Sequence, residues 1–433
     1  MHTLSPIITR CAVVALALSI LSACSDDPTT SSPPPGDPLL TVEVAFCSGL
    51  EPDWVAFQDG DGAWTRALPS ATSRIITFRH PFAANRGAIA TVHRFAASVT
   101  TLSVRYGAPA ELESVGDTVP EHCGPPVSKT LLGTVAGLDT NELAIVSAGH
   151  NARAVVFPID GAGFALGGLI PEPQEILATR ITRVNGGAAP TGMILRRSPD
   201  LPDNATLPVL DFNSPEAFQP VLRNVTLDGL GPEGAIAFTG LRTAHSNNEV
   251  LFLTGGATDA TRPYYAIPEA RLNPGDLQIL TASAGPATQN VVRGTTLYFR
   301  SPVDRTLRFG AVVAPPTVSL AAAAPTLRLR AQFAPHADYD RLALIVYQQT
   351  EVTLVGVAMT TAYAALTGGA YDLVVPELTG VPGFDPSWAL RAGTPVLWTA
   401  DRVGGTLGLG PSAVPTDGAT SRVAAVTGGF ASP

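Results

Sequence analysis

The chain has 433 residues, which is too long for one ordinary hydrophobic core and sufficient for three or four. It carries 27 basic and 36 acidic residues, a net charge of −9 at pH 7, and its charged fraction of 15% is below the usual quarter. No basic stripe is present to neutralise phosphates, so the composition argues against nucleic acid or an anionic lipid surface as a partner.

The N-terminal residues predict export. Residues 11–21 form an apolar stretch, preceded by one fixed positive charge at Arg10 and followed by Ser22-Ala23-Cys24. At roughly 1.5 Å per residue, this stretch is too short to cross a hydrocarbon core of about 30 Å as a lasting helix. The segment resembles a bacterial lipoprotein signal peptide. The resemblance implies that residues 1–23 are removed and that Cys24 carries the lipid.

The same resemblance implies a location at the cell envelope, with the lipid bilayer as a partner through the N-terminal anchor. In this family, aspartate directly after the cysteine is tied to inner-membrane retention in some bacteria. Here that position holds Ser25, so we expect the outer membrane rather than the inner membrane. Residues 24–38 contain five prolines and are predicted to form an extended tether.

The cysteines predict one disulfide. Cys11 leaves with the leader and Cys24 would be lipidated, so Cys47 and Cys123 remain as a pair. Two such thiols in an oxidising compartment are expected to form a bridge, which here would close a long loop. The alternative is a metal site that includes the nearby His122, although such a site needs more soft ligands.

Short apolar runs separated by glycine and proline predict an all-β fold, an array of β-sandwich domains with few short helical turns. Helix starts are expected only at Ser214-Pro215-Glu216 and at Asp385-Pro386-Ser387-Trp388. The predicted globular units follow the tether, and the first one contains both cysteines of the pair. They are residues 39–125, 126–222, 223–315 and 316–433.

A weak internal repeat favours tandem modules. Phe164 and Tyr265 are each followed after twelve residues by an apolar run, and Tyr363 is followed after ten by Leu373-Val374-Val375. Upstream, a short segment at 135–138 is echoed at 227–230. A period near 100 residues is typical of β-sandwich arrays. The modules resemble the immunoglobulin-like or carboxypeptidase-regulatory-like accessory domains of bacterial surface proteins.

The segment Asp59-Gly60-Asp61-Gly62 lies between two strand-like runs and has two interpretations. Clustered carboxylates suit a hard cation, so Asp59 and Asp61 are candidate calcium ligands, although the closing glutamate of the familiar loops is missing. The second interpretation is a hairpin turn, in which glycines adopt positive φ and aspartates bond the local backbone. We favour the turn.

Two histidine sets could carry chemistry. His336, Asp338 and Asp340 alternate, so on a strand they would share one face as metal ligands or as an acid–base set. A polar loop leading into the apolar run that follows is the favoured interpretation. His80 and His93 lie on neighbouring predicted strands and could meet, but histidines are common on sheets without any ligand.

The remaining candidates are a hydroxyl and two aromatic pairs. Ser147 lies near His150, but in the context of a turn rather than a nucleophile elbow. Trp54 pairs in sequence with Trp64, and a second such pair lies near the C-terminus at 388 and 398. Paired tryptophans can form a sugar-stacking platform, but they are more often core residues or cross-strand partners.

The sequence contains no nucleophile elbow, metalloprotease histidine pair or dinucleotide-binding glycine pattern. We therefore predict a non-catalytic binding or structural role without a cofactor, in which an envelope protein or a polysaccharide is the further partner. The alternative is a secreted hydrolase or carbohydrate-binding protein whose site lies on loops between strands.

Overall fold

The regular secondary structure in the described part of the chain is mostly β-strand, with two short α-helices. The predicted all-β class, an array of β-sandwiches with few helical turns, is confirmed. None of the helices in this part of the chain is long and apolar enough to cross a membrane. The computed structural model describes residues 40–71, 75–95, 99–113, 129–149, 152–158, 162–169, 175–184, 187–197, 202–231, 234–243, 247–250, 261–285, 291–350, 352–408 and 414–432.

The first unit has seven strands and one helix. A sheet with the order β1-β5-β4 packs over strands in the order β3-β2-β6-β7. The elements are β1 (Leu40–Cys47), β2 (Trp54–Asp59), β3 (Thr65–Arg66), β4 (Ser70–Ala71), β5 (Ile75–Phe82), β6 (Gly87–Phe95), β7 (Val99–Gly107) and α1 (Pro109–Glu113).

The second unit has one sheet with the order β10-β9-β12-β13 and another with the order β11-β8-β14, in which β15 also pairs with β8. Its strands are β8 (Lys129–Ala136), β9 (Glu142–Ala148), β10 (Ala152–Val156), β11 (Gly163–Leu169), β12 (Ile176–Val184), β13 (Gly187–Arg196), β14 (Ala205–Thr206) and β15 (Leu210–Asp211).

The third unit repeats this arrangement, with β18-β17-β20-β21 over β19-β16-β22. Its elements are β16 (Val221–Asp228), β17 (Ala235–Arg242), β18 (Asn247–Val250), β19 (Thr261–Ala266), a 3-10 turn (Glu269–Arg271), β20 (Leu277–Ala284), β21 (Val291–Phe299) and β22 (Arg305–Arg308).

The fourth unit places β29-β28-β25-β26 over β23-β24-β27. Its elements are β23 (Thr317–Ala322), β24 (Arg328–Phe333), β25 (Leu342–Gln349), β26 (Thr353–Thr360), α2 (Thr361–Leu366), β27 (Tyr371–Val374), a 3-10 turn (Pro386–Trp388), β28 (Val396–Gly405) and β29 (Thr420–Phe430). In β24 buried and outward residues alternate with a period of two, as expected for a strand with one face on the core.

The second and third units share one strand order. The third, second, fifth and sixth strands form one sheet, and the first strand lies between the fourth and the seventh in the other. The first and seventh strands run parallel, with Val225 opposite Arg305 and Leu131 opposite Ala205. In the fourth unit, β23 takes the place of the seventh strand but precedes the first strand in sequence and runs antiparallel to it.

This strand order shows where the predicted repeat is right and where it is wrong. Phe164 and Tyr265 lie in β11 and β19, which are equivalent fourth strands. The third copy is wrong, because Tyr363 lies in α2 and Leu373 in β27. Because α2 precedes the fourth strand of this unit, Tyr363 is not structurally equivalent to Phe164 and Tyr265.

One of the two predicted helix starts is also wrong. Ser214 forms a turn, in which its hydroxyl donates to the carbonyl of Asp211 instead of capping a helix. Phe218 then pairs with Met193 of β13 through two backbone hydrogen bonds, which leaves no room for a helical turn to continue. At the other site, Asp385 accepts a hydrogen bond from the backbone of Ser387 and caps the short 3-10 turn as predicted.

Three units share one twelve-stranded sheet. Its order is β18-β17-β20-β21-β29-β28-β25-β26-β7-β6-β2-β3, so the third, fourth and first units contribute four strands each. The third and fourth units join through antiparallel β21 and β29, and the fourth and first units join through parallel β26 and β7. The first and last units of the chain are therefore neighbours.

Strand β2 of the first unit is buried on both faces of this sheet. Val55 and Phe57 pack against β1 and β5 in the core of the first unit. Trp54 and Ala56, on the opposite face of the same strand, belong to the core of the fourth unit. Strand β2 therefore contributes side chains to two hydrophobic cores, and the core of the fourth unit is shared between the first and fourth units.

The second unit packs against the third. Ile145, Leu177 and Met193 form one cluster with Leu241 and Ile267 of the third unit. Beside this cluster, the guanidinium of Arg197 forms an ion pair with the buried carboxylate of Asp276.

Candidate functional site

The contact between the first and fourth units is built around Trp54, whose side chain is only 2% exposed. Its ring lies 5.2 Å from that of Phe384 and 6.5 Å from that of Trp388. Its indole N–H donates to the carbonyl of Pro382 at 3.2 Å, so the polar atom is satisfied. The sequence paired Trp54 with Trp64, whereas the structure pairs it with Trp388 of the last unit. A buried ring of this kind offers no stacking face to a sugar.

The predicted hairpin at Asp59-Gly60-Asp61-Gly62 is present, with β2 and β3 pairing antiparallel. Both carboxylate oxygens of Asp59 accept backbone N–H bonds, from Ala83 and Ala84, each at 2.9 Å. Asp61 forms an ion pair with Arg86. The turn is therefore present as predicted, but the two carboxylates bond the neighbouring β5–β6 loop and not the local backbone of the turn.

His336, Asp338 and Asp340 lie on the loop between β24 and β25, not on a strand. The imidazole Nδ1 of His336 accepts the backbone N–H of Asp338 at 3.1 Å. The Asp338 carboxylate accepts the backbone N–H of Ala311 at 3.0 Å, and the hydroxyl of Tyr339 donates to the carbonyl of Ala311 at 3.0 Å. Ala311 belongs to the segment that links the third and fourth units. This loop therefore binds the linker through the backbone N–H and the backbone carbonyl of Ala311.

The remaining candidates, which are His80, His93 and Ser147, also contact other residues of the protein. His80 stacks on Phe57 at 5.4 Å, and burial lowers the pKa of its imidazole. His93 packs edge-on against Phe46 at 5.9 Å, so each of the two histidines packs on its own phenylalanine. The hydroxyl of Ser147 donates to the carbonyl of Leu177 at 3.3 Å in a buried position. His150 lies outside the described residues.

The predicted lipid and disulfide residues are only partly covered by the structure. Cys47 is the last residue of β1 and is buried. Cys24 and Cys123 lie outside the described residues, so the lipidation and the Cys47–Cys123 pairing stay predictions. Among the residues that the structure does describe, no group of three or more His, Cys, Asp or Glu side chains could hold a metal ion.

The sequence missed an arginine that recurs in three units. In each, a guanidinium Nη1 donates to the carbonyl that directly follows the first strand. Arg180 binds Gly137 at 3.3 Å, Arg293 binds Gly229 at 3.1 Å, and Arg402 binds Ala334 at 3.0 Å. Each of these guanidinium groups also lies over a phenylalanine ring, at 5.6, 5.4 and 5.7 Å from the ring centre. We call this contact the arginine latch.

Once the structure is known, two features of the sequence can be related to the arginine latch. The glycines at 137 and 229 lie in the two segments whose similarity indicated the repeat, and both have positive φ, 76° and 73°. A Cβ at Gly229 would lie 3.0 Å from the carbonyl oxygen of Phe309. Arg293 is the only charged residue of β21, which is unusual for a charged side chain unless it is paired, whereas β12 also contains Arg183 and β28 also contains Asp401.

An open cleft of about 500 Å³ lies on the third unit, between β16 and the segment before β22. It is lined by Leu222, Arg223, Asn224, Val303 and Asp304. The Asp304 carboxylate accepts the backbone N–H of Asn224 at 2.9 Å, and Arg223 donates to the carbonyl of Pro302 at 3.0 Å. The charged groups of the cleft are therefore already bonded to the protein's own backbone.

Comparison with known proteins adds no functional residue to these candidates. A scan against protein-family models finds no matching family, and a search of curated proteins finds no match. The function is therefore argued from the residues and from their geometry.

Proposed function

We propose that this protein is a lipid-anchored component of the bacterial cell envelope with a non-catalytic binding or structural role. The observation that carries the proposal is the sequence Leu21-Ser22-Ala23-Cys24 after an apolar leader, followed by the proline-rich tether. In this proposal Cys24 is the lipidated first residue, and the outer membrane receives it. An envelope protein or a polysaccharide is the further partner.

The joining of the first and last units supports such a role. The tether leads directly into β1, and the first unit is bonded to the fourth along β7 and β26. A lipid at Cys24 would therefore hold the first and fourth units at the bilayer together. At about 3.1 Å per residue, the tether allows them to stand at most some 40 Å from the lipid.

The hydrogen bonds that the candidate polar side chains form within the protein support the proposal of a non-catalytic role. Asp59 and Asp338 bind backbone N–H groups, and the charged residues of the cleft on the third unit bind backbone groups as well. Side chains occupied in this way stabilise loops and linkers. Catalytic acids and bases instead need a free atom aimed at a substrate.

The disulfide and the module type belong to the same proposal. In this proposal Cys47, which is buried at the end of β1, forms a disulfide with Cys123 in an oxidising compartment. In the immunoglobulin constant fold the first strand pairs with the second, whereas here it lies between the fourth and the seventh. This order favours the carboxypeptidase-regulatory-like resemblance over the immunoglobulin-like one.

The test is to express Cys24→Ala in a bacterial host and to compare it with Cys11→Ala, a control that also removes a thiol from the N-terminal region. We expect wild type and Cys11→Ala to be found in the outer-membrane fraction with a lipid-modified N-terminus by mass spectrometry. We expect Cys24→Ala to lack the lipid and to leave that fraction. Unchanged membrane association of Cys24→Ala would overturn the anchor.

The non-catalytic part is tested separately. The purified mature protein is screened against glycans and common hydrolase substrates. We expect binding or no response. Turnover that a single substitution abolishes would instead establish the hydrolase alternative.

A further inference from the structure

An aspartate lies in the middle of the twelve-stranded sheet. Asp401 is on β28, opposite Leu344 of β25 and Ala425 of β29. Paired residues of adjacent strands share a face, so its carboxyl lies on the same face as Leu344. Leu344 and Val403 belong to a buried apolar cluster that is separate from the main core of the fourth unit. Asp401 itself is only 2% exposed.

The carboxyl has no compensating partner on this face. Its Oδ1 atom is buried and has no hydrogen-bond partner. The residues of the two adjacent strands that share its face carry no ionisable group. On β25 these are Leu342, Leu344, Val346 and Gln348, and on β29 they are Ser421, Val423, Ala425 and Thr427.

The charged groups on this face of the sheet are remote from Asp401. The Glu111 carboxylate of α1 accepts a hydrogen bond from Thr360 of β26, which is two strands away and pairs with Leu342, not with Leu344. Leu344 pairs with Ala358 of β26, which in turn pairs with Arg105 of β7. Arg105 is thus three strands from Asp401, about 14 Å at the usual strand spacing. A carboxylate in these surroundings loses its hydration without gaining an ion pair, so the neutral acid is the favoured form.

We propose that Asp401 makes the joint between the third and fourth units sensitive to protonation. When the carboxyl is neutral, β28 packs without an unpaired charge and stays paired with β29. Strand β29 in turn pairs with β21 of the third unit, so it forms the joint between the two units. With the carboxyl ionised, the same strand carries an uncompensated charge and the joint is weakened. The proposal does not depend on the lipid anchor.

The direction of the effect follows from linkage. Burial raises the pKa of Asp401 from 3.8 to about 7. The folded protein therefore binds this proton more tightly than the unfolded chain does, and the stabilisation is complete only at low pH. Stability from this group falls as pH rises from about 4 to about 7 and is constant above that. A shift of about three units corresponds to roughly a thousand-fold change in the folding equilibrium.

The experiment compares thermal unfolding of the full mature protein at pH 5 and pH 8.5. Asp401→Asn removes the charge but keeps the shape, and Asp340→Asn is the control at an exposed aspartate. We expect wild type and Asp340→Asn to melt at a lower temperature at pH 8.5 than at pH 5, and Asp401→Asn to lose most of that difference. If the melting temperature of Asp401→Asn decreases between pH 5 and pH 8.5 by as much as that of wild type, the proposal is overturned.

A second measurement covers the case in which Asp401→Asn does not fold. Amide hydrogen exchange of the wild type, corrected for the intrinsic pH dependence, is followed in β28 and β29 at both pH values. We expect these strands to lose protection at pH 8.5, whereas β9 and β12 of the second unit do not. Equal protection of β28 and β29 at the two pH values would contradict the proposal.

Discussion

The guanidinium carbon of Arg402 lies 4.2 Å from the centre of the Tyr371 ring. The same guanidinium donates to the carbonyls of Ala334 and Tyr339, at 3.0 and 2.7 Å. A residue of the large sheet thus holds the loop that leads from β24 to β25, with an aromatic ring of the small sheet beneath it. The arginine latch connects the two layers of the sandwich at the point where its first strand ends.

Replacing Arg402 by leucine is expected to destabilise the protein by about 3 kcal/mol, because carbonyl groups that lose a partner in a buried position are expensive. Chemical denaturation of the full chain measures the effect. Arg308→Leu, at an exposed residue of β22, is the matched control and should change stability by less than about 0.5 kcal/mol. Equal unfolding midpoints for Arg402→Leu and wild type would refute the role of the latch.

Trp54→Ala is expected to cost about 3–5 kcal/mol, as for other large residues removed from a core. Because Trp54 belongs to the core of the fourth unit, the loss should spread beyond the first unit. Hydrogen exchange should show faster exchange in β25 and β26 as well as in β2 and β6. Leu68→Ala, at a 72% exposed side chain of the first unit, is the control. Changes confined to the first unit would argue against a shared core.

Reduction of the protein, or Cys47→Ser, is expected to lower stability by about 2–4 kcal/mol. Peptide mapping without reduction should recover the two cysteines linked. Two free thiols after alkylation of the native protein would disprove the bridge.

Asp59→Ala and Asp61→Ala form a matched pair on one turn. Asp59 satisfies two backbone N–H groups, so its loss should cost about 1–2 kcal/mol. Asp61, with a side chain 77% exposed, forms only a surface ion pair, so its loss should cost less than about 1 kcal/mol. Calcium should not raise the melting temperature of the wild type. A calcium-dependent rise that both substitutions abolish would restore the metal-site interpretation.

The local features of the fold could be predicted from the sequence. Alternating apolar runs and turn residues predicted the all-β class, and the glycines around Asp59 and Asp61 predicted the hairpin. The capping aspartate and proline predicted the 3-10 turn at Asp385. Each of these features depends on neighbours a few residues away, which a sequence displays directly.

The joints between units could not be predicted in the same way. Pairing between β7 and β26 depends on which strand edges remain free after each unit has folded, and no local pattern records that choice. The position of Trp54 between two units depends on the same pairing. In the sequence Asp401 is followed directly by Arg402, which suggests an ion pair, and only the three-dimensional structure shows that its Oδ1 atom has no hydrogen-bond partner.

The pairing of the first unit with the last has a consequence for biosynthesis. The chain emerges from the N-terminus, so β7 is available long before the strand that pairs with it. About 250 further residues must follow, which takes roughly 12–50 s at translation rates of about 5–20 residues per second. During that interval the open edge of β7 and the apolar side chain of Trp54 stay uncovered. A holdase chaperone would act on this incompletely synthesised intermediate, and aggregation would begin from it without one.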